Sequence, residues 1–308
     1  MKIAFFCGED DKFLRDIIAH TSRRYDVRCF RGGSIDEMQV LLLWADVAWF
    51  EWCDSLIIAA SQLPKTCRMI CRLHSYEAFT DAPSKVNWKN VDDLVFVAPH
   101  VRDILLAGDL VNNHIFQPSL RTHIINNGVD VQRFCNDTQR ERGFNLAYVG
   151  YINHKKNPSL LIQCMKYLTD IDDRYVLHIA GTFQELRFEL YFKHMVKAMS
   201  LEKNIVFHGW VGNIPDWLED KHYIVTTSVF ESFCYAIAEG MSCGLKPIIH
   251  NFVGADGLYP EKYLFNNVRR FAEMVIGEGY KPSEYRQYIV ENYSLEKQLK
   301  AIEGLICQ

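Results

Sequence analysis

Two glutamates, Glu231 and Glu239, frame a run that is otherwise nearly apolar, ESFCYAIAEGMSCGLKPI (231–248). Ionised carboxylates accept hydrogen bonds from pairs of hydroxyls. Ser232 is placed to cap a helix that starts near Phe233 or Cys234. In that helix Cys234, Ile237, Ala238 and Met241 fall at i, i+3, i+4 and i+7 and form the buried stripe. Glu239 lies roughly 140° from Cys234 around the axis, off the stripe. Glu231 precedes the helix. The backbone N–H groups of Phe233, Cys234 and Tyr235 stand at the positive end of the helix dipole, an anion site suited to phosphate. A ligand with a phosphate centre and hydroxyl-rich groups on both sides fits this set, and a sugar nucleotide is such a ligand. The plainer alternative makes Glu231 a surface loop residue and Glu239 a solvated helix residue. The surrounding segments decide between the two.

Those segments alternate between short apolar runs and helical periodicity. KIAFFC (2–7), VRCF (27–30), VAWFEW (47–52), RMICRLH (68–74) and LVFVAP (94–99) read as strands. KFLRDIIAHTSRRY (12–25), SIDEMQVLLLWA (34–45) and SLIIAASQL (55–63) read as helices, the first capped by Asp10 or Asp11. Strands this continuously apolar belong in a parallel sheet covered on both faces. THIINNGVDVQRF (122–134), with its Asn127-Gly128 turn, closes the series, and CNDTQRERGF (135–144) is polar enough for a linker. The alternation then restarts with strands at 145–150, 175–181, 205–210, 223–228 and 246–250 and helices at 157–168, 184–199 and 234–242. Gly244 follows the last helix as a stop signal. Two βα series in tandem predict an α/β protein of two doubly wound, Rossmann-like domains with a cleft between them.

Composition excludes several classes. The 308 residues carry 23% charged and 49% hydrophobic residues and a net charge of -4, ordinary for a globular chain. There is no global pull toward nucleic acid or anionic lipid, so no nucleic-acid partner is expected. RFELYFKHMVK (187–197) mixes basic and aromatic residues, but one amphipathic helix explains it. Ten cysteines are scattered without zinc spacing, which reads as reduced thiols in a cytoplasmic protein. The N-terminus turns acidic too soon for a signal peptide, and no run is long enough to span a bilayer. DID (170–172) is formally a DxD metal motif, but it precedes a strand rather than following one, so no metal and no other cofactor is expected.

With these residues in place, the sequence resembles the family-4 retaining glycosyltransferases. ESFCYAIAEGMSCGLKPII resembles the family's E-x7-E segment, INNGVDVQRF (125–134) its NGVD segment, YVGYINHKKNPSLLI (148–162) its glycine-strand-end and lysine segment, and IVFHGWVGNIPDWL (205–218) its F-x-G-x-V segment. The four occur in the family's order. The resemblance implies the GT-B fold. Residues 1–140 would form an acceptor-binding domain, 141–293 a nucleotide-sugar domain, and the helix 294–308 would pack back on the first. It implies that Glu239 holds ribose hydroxyls, Glu231 faces the transferred sugar and Lys156 neutralises the diphosphate. It further implies that the backbone of Ser232, Phe233, Cys234 and Tyr235 meets sugar and diphosphate. Gly150 would sit at the strand end, with Gly181, Trp210 and Val211 bordering the base, and His74 would stand at the reaction centre. Where the family has an arginine after the strand glycine, this chain has Tyr151; either Lys155 supplies the second charge or one lysine and the helix terminus hold the diphosphate. Only Gly8 represents the family's glycine-rich loop.

The expected activity is a metal-independent, retaining hexosyl transfer from a UDP- or GDP-linked sugar to a hydroxyl of a glycan, glycoconjugate or small molecule, in polysaccharide biosynthesis. An epimerase or hydrolase on the same fold, or a non-catalytic binding protein, are the alternatives. Peripheral contact with a membrane has no support in the sequence.

Overall fold

The computed structural model describes residues 1–8, 11–107, 120–135 and 140–308. The candidate cap Asp10 and the linker residues 136–139 lie outside them. The chain divides into two compact units, Met1–Asn127 with Glu296–Gln308, and Gly128–Leu295.

The first unit runs β1 (Lys2–Phe6), α1 (Arg15–Thr21), β2 (Asp26–Phe30), α2 (Ile35–Trp44), β3 (Val47–Phe50), α3 (Ser55–Gln62), β4 (Arg68–Leu73), α4 (Ala82–Lys85), β5 (Asp93–Phe96), α5 (Pro99–Leu106) and β6 (Arg121–Ile124). Its six strands are all parallel, in the order β2-β1-β3-β4-β5-β6. Strand order reverses between β1 and β3, the point where open parallel sheets receive ligands. β1, β3 and β4 are buried almost end to end, as their unbroken apolar runs require. α2 starts where expected, with a full capping box between Ser34 and Glu37. α1 is shorter than its periodicity suggested: Leu14, not Asp11, holds the cap position, and Asp11 instead pairs with Arg15 and Arg31.

The second unit runs β7 (Asn145–Val149), α6 (Pro158–Ile171), β8 (Val176–Ala180), α7 (Leu186–Ala198), β9 (Ile205–Gly209), α8 (Ile214–Trp217), β10 (Tyr223–Thr226), α9 (Tyr235–Ser242), β11 (Lys246–His250), β12 (Leu264–Phe265), α10 (Val268–Ile276) and α11 (Pro282–Tyr293). Its parallel sheet has the order β9-β8-β7-β10-β11-β12, with the reversal between β7 and β10. Leu161, Met165 and Leu168 of α6 and Phe271 and Val275 of α10 pack with Leu146, Leu177, Val225 and Ile248 of the strands into one core.

α12 (Leu295–Ile306) closes the chain. Ile302, Leu305 and Ile306 lie in the core of the first unit with Ile3, Phe5, Ile70 and Val95, so the final helix does pack back. The boundary itself differs from the sequence reading of 140. It falls at Asn127/Gly128, before the polar run. Val129 donates its N–H to Tyr293 O at 2.8 Å and accepts from Leu295 N at 2.8 Å. A Cβ on Gly128 would stand 2.7 Å from Leu295 Cα. Backbone contact this close, not polarity, marks where the chain enters the second unit.

Candidate functional site

The switch point of the second sheet is occupied by charge. After β7 the chain makes a short 3-10 turn, His154–Lys156, capped by the Asn153 side chain. After β10 it runs through Ser228 to Glu231. Lys156 Nζ donates to Glu231 Oε1 at 2.5 Å, Lys155 Nζ to Oε2 at 3.2 Å, and Ser228 Oγ to Oε1 at 2.9 Å. The backbones of the two loops are stitched as well. Thr227 Oγ1 donates to Lys156 O at 2.8 Å, and Val229 N to Lys155 O at 2.9 Å. Glu231 is 7% exposed. Burial pushes its carboxyl up, but the Lys156 and Lys155 ammoniums outweigh this and hold it below the ordinary range. Burial likewise pushes Lys156 down, and Glu231 outweighs it, so Lys156 stays firmly charged. Lys155 thus adds a second ammonium to the Glu231 carboxylate. Tyr151 packs its ring against Trp210 instead, with centroids 5.7 Å apart.

α9 begins later than the sequence suggested. Ser232 is not its cap. Cys234 holds that position with no side-chain capping bond, at φ 59, the left-handed region that costs a non-glycine residue about 1–2 kcal/mol. The expected stripe is buried throughout, Cys234 included. Phe233 is anchored beneath the helix start, its carbonyl accepting from Tyr259 Oη at 2.8 Å. The helix stops as foreseen: Gly244, at φ 81, donates to Met241 O and Leu245 donates to Gly240 O, a Schellman end.

Glu239, on α9, contrasts with Glu231. It is half-buried, and its carboxylate has no hydrogen-bond or ion-pair partner among the described residues. Burial raises its carboxyl to about 7, with Arg133 partly offsetting the rise. Such a group is ready to accept hydrogen bonds from a ligand.

Three glycines end neighbouring strands. Gly150, at φ 135, donates to Ala180 O at 3.0 Å, and Gly181 donates to Gly209 O at 2.7 Å. A Cβ on Gly181 would stand 1.9 Å from Gly150 O, so no side chain fits there. Trp210, 67% exposed, follows the third glycine, and half-buried Val211 comes next.

DID lies at the end of α6, where Asp170 pairs with Lys166 and Asp172 with Arg174, so both carboxylates are already engaged. Among the described residues no three histidine, cysteine, aspartate or glutamate side chains cluster as metal ligands, and no helix is long and apolar enough to cross a membrane.

His74 belongs to the first unit, at the carboxyl end of β4. It is 5% exposed. Its ring packs against Phe13 at 4.8 Å and Trp52 at 4.4 Å between centroids. Its Nε2 lies at hydrogen-bond distance from Glu51 Oε1, 2.9 Å. Sequence reading missed Glu51, Arg72 and Ser228 entirely. The first two carried a signal: a glutamate and an arginine inside otherwise apolar strand segments.

The two six-stranded parallel sheets, each with its own helices, define the GT-B fold of two Rossmann-like units. The whole chain superposes on Anabaena HepE in complex with UDP, with a TM-score of 0.83, 14% identity and 100% of both chains covered. It also superposes on the lipopolysaccharide outer core galactosyltransferase WaaB, with a TM-score of 0.74, 15% identity and 99% of both chains covered. Residues 133–259 match the family described as Glycosyl transferases group 1. This span holds every candidate site residue except His74. A curated relative, the Escherichia coli UDP-Gal:alpha-D-GlcNAc-diphosphoundecaprenol alpha-1,3-galactosyltransferase, is 26% identical over 163 residues, which cover 48% of this chain and 41% of that protein.

Proposed function

We propose that the protein is a retaining, metal-independent glycosyltransferase that moves a hexose-type sugar from a UDP- or GDP-linked donor to a hydroxyl of a glycan or glycoconjugate. The Lys155–Lys156–Glu231 cluster at the switch point of the second sheet carries this reading. A diphosphate is a stronger acceptor than one carboxylate, so the donor takes over both ammoniums. Glu231, released, accepts from hydroxyls of the transferred sugar. Glu239 accepts from the ribose hydroxyls, and the Gly150–Gly181–Gly209 strand ends let the base approach the backbone beside Trp210 and Val211. The start of α9 adds its dipole to the diphosphate.

Catalysis then rests on positioning and on stabilising the departing diphosphate. In this reading the acceptor hydroxyl attacks on the face the diphosphate leaves, and a phosphate oxygen takes its proton. The UDP-bound relative in fold and the UDP-Gal relative in sequence support a uridine donor and a glycan-lipid or glycan acceptor. Ten cysteines, all free thiols, support a reducing, cytoplasmic setting.

The test is to incubate the protein with UDP- and GDP-hexoses and oligosaccharide acceptors, with and without EDTA, reading nucleotide release and the anomeric proton of the product. Acceptor-dependent release, an unchanged anomeric configuration and resistance to EDTA are expected. Release without acceptor would favour an epimerase or hydrolase, and an inverted product would overturn retention.

A further inference from the structure

Beside His74 lies a network of buried charge. Glu51 and Arg72 are both 0% exposed. Glu51 Oε1 accepts from Arg72 Nη1 and from His74 Nε2, each at 2.9 Å, and its Oε2 accepts from Trp49 Nε1 at 2.9 Å. Arg72 Nη2 in turn donates to Asn127 Oδ1 at 2.5 Å. Burial pushes the Glu51 carboxyl up, but the Arg72 guanidinium, helped by the hydrogen bonds from His74 and Trp49, outweighs it and holds it below the ordinary range. A carboxylate can only accept, so the nitrogen of His74 that faces it must carry the hydrogen. In the neutral ring that leaves Nδ1 as a bare lone pair. Nδ1 has no hydrogen-bond partner among the described residues, although the residue is 5% exposed. The Phe13 and Trp52 rings prevent the imidazole from turning away. The site is the carboxyl end of a parallel strand, where such sheets receive ligands.

We propose that Glu51, braced by Arg72, Trp49 and Asn127, is a positioning residue that fixes His74 in its Nε2–H tautomer, so that Nδ1 accepts a hydrogen bond from a substrate hydroxyl. This rests on the transferase reading for its substrate, and on the geometry alone for its tautomer. Arg72 balances the charge of Glu51 at 2.9 Å. His74 is then an acceptor that orients a hydroxyl, not a donor to a phosphate or a carbonyl.

The first arm of the test needs no substrate. Long-range ¹⁵N–¹H correlation of the histidine side chains, with His74 assigned by its loss in His74→Asn, reports which nitrogen is protonated. The wild-type protein should show Nε2–H; an Nδ1–H signal overturns the proposal whatever the protein's activity. The second arm is Glu51→Gln, whose amide can donate to Nε2 and release the other tautomer. Its kcat should fall by about 10- to 100-fold, with donor KM within about twofold and the His74 signal moved toward Nδ1–H. Unchanged kcat with a moved tautomer would overturn the acceptor role. If Glu51→Gln does not fold, the wild-type spectrum still decides the tautomer. Absence of any transferase activity beside an Nε2–H signal would count against the transferase reading and leave the tautomer standing.

Discussion

The carboxyl ends of the two sheets treat their charges differently. In the first unit Glu51 accepts from three donors in full burial, and Arg72 and His74 are its partners. In the second unit Lys155 and Lys156 share one carboxylate across two loops, Lys155 is 41% exposed at its side chain, and Glu239 has no partner among the described residues. A buried carboxylate that accepts on both oxygens holds its donors in one orientation. A partly open ion cluster can exchange its carboxylate for an arriving anion.

The comparison can be broken most forcefully at Glu51. Glu51→Leu leaves Arg72 buried without its counter-charge and should cost about 3–5 kcal/mol of stability in urea unfolding. A loss under 1 kcal/mol would show that the network is not closed to water. At the other strand end, Lys156→Ala should leave the fold intact but lower transfer by roughly 100-fold, about 3 kcal/mol. Near-normal turnover at ordinary substrate levels would remove Lys156 from the diphosphate site.

Glu239 sharpens the contrast through pH. Its carboxyl is raised from 4.5 to about 7 in the folded protein, so the folded state holds the proton more tightly than the unfolded chain. Its contribution to stability is full below the unfolded value and is lost as pH rises through 7. Glu239→Gln should therefore be more stable than wild type at pH 8, by at most about 3 kcal/mol, with the gap closing near pH 4. Equal melting at both pH values would contradict the strained carboxyl. Ribose hydroxyls that donate to the ionised form would also make nucleotide binding release a proton near neutrality, visible as a buffer-dependent binding enthalpy. The smallest effect belongs to Gly181→Ala. Its Cβ would meet Gly150 O, and the forced shift should cost about 1–3 kcal/mol and weaken nucleotide binding.

Most of the architecture was legible because parallel strands buried on both faces leave unbroken apolar runs. β1, β3, β4, β7 and β10 all fall within a residue or two of those runs. α10 and α11 went unread. The sequence singled out Glu231, Glu239 and Lys156 through motif order, and the structure brings Glu231 and Lys156 together at one strand end. The cap of α9 was misread because Ser232 is a common cap residue, whereas Cys234 reaches the cap position through a left-handed turn that nothing in its type announces. The unit boundary was misread because polarity marks surface, while the true crossing is a backbone contact at Gly128. The Glu51–Arg72–His74 network links β3, β4 and the strand end beyond it. Partners 21 and 23 residues apart in sequence come together only through the sheet register, with Phe50 beside Cys71.

The central claim is that the switch point of the second sheet binds a nucleoside diphosphate through Lys156 and Glu239. Thermal unfolding with UDP, GDP and ADP, without added metal, for the wild-type protein, Lys156→Ala and Glu239→Ala, tests it directly. One nucleotide should raise the wild-type midpoint, by the equivalent of about 2.7 kcal/mol at 100 times its Kd. Both variants should lose most of that shift. No shift with any of the three, or a full shift retained in Lys156→Ala, would contradict the account.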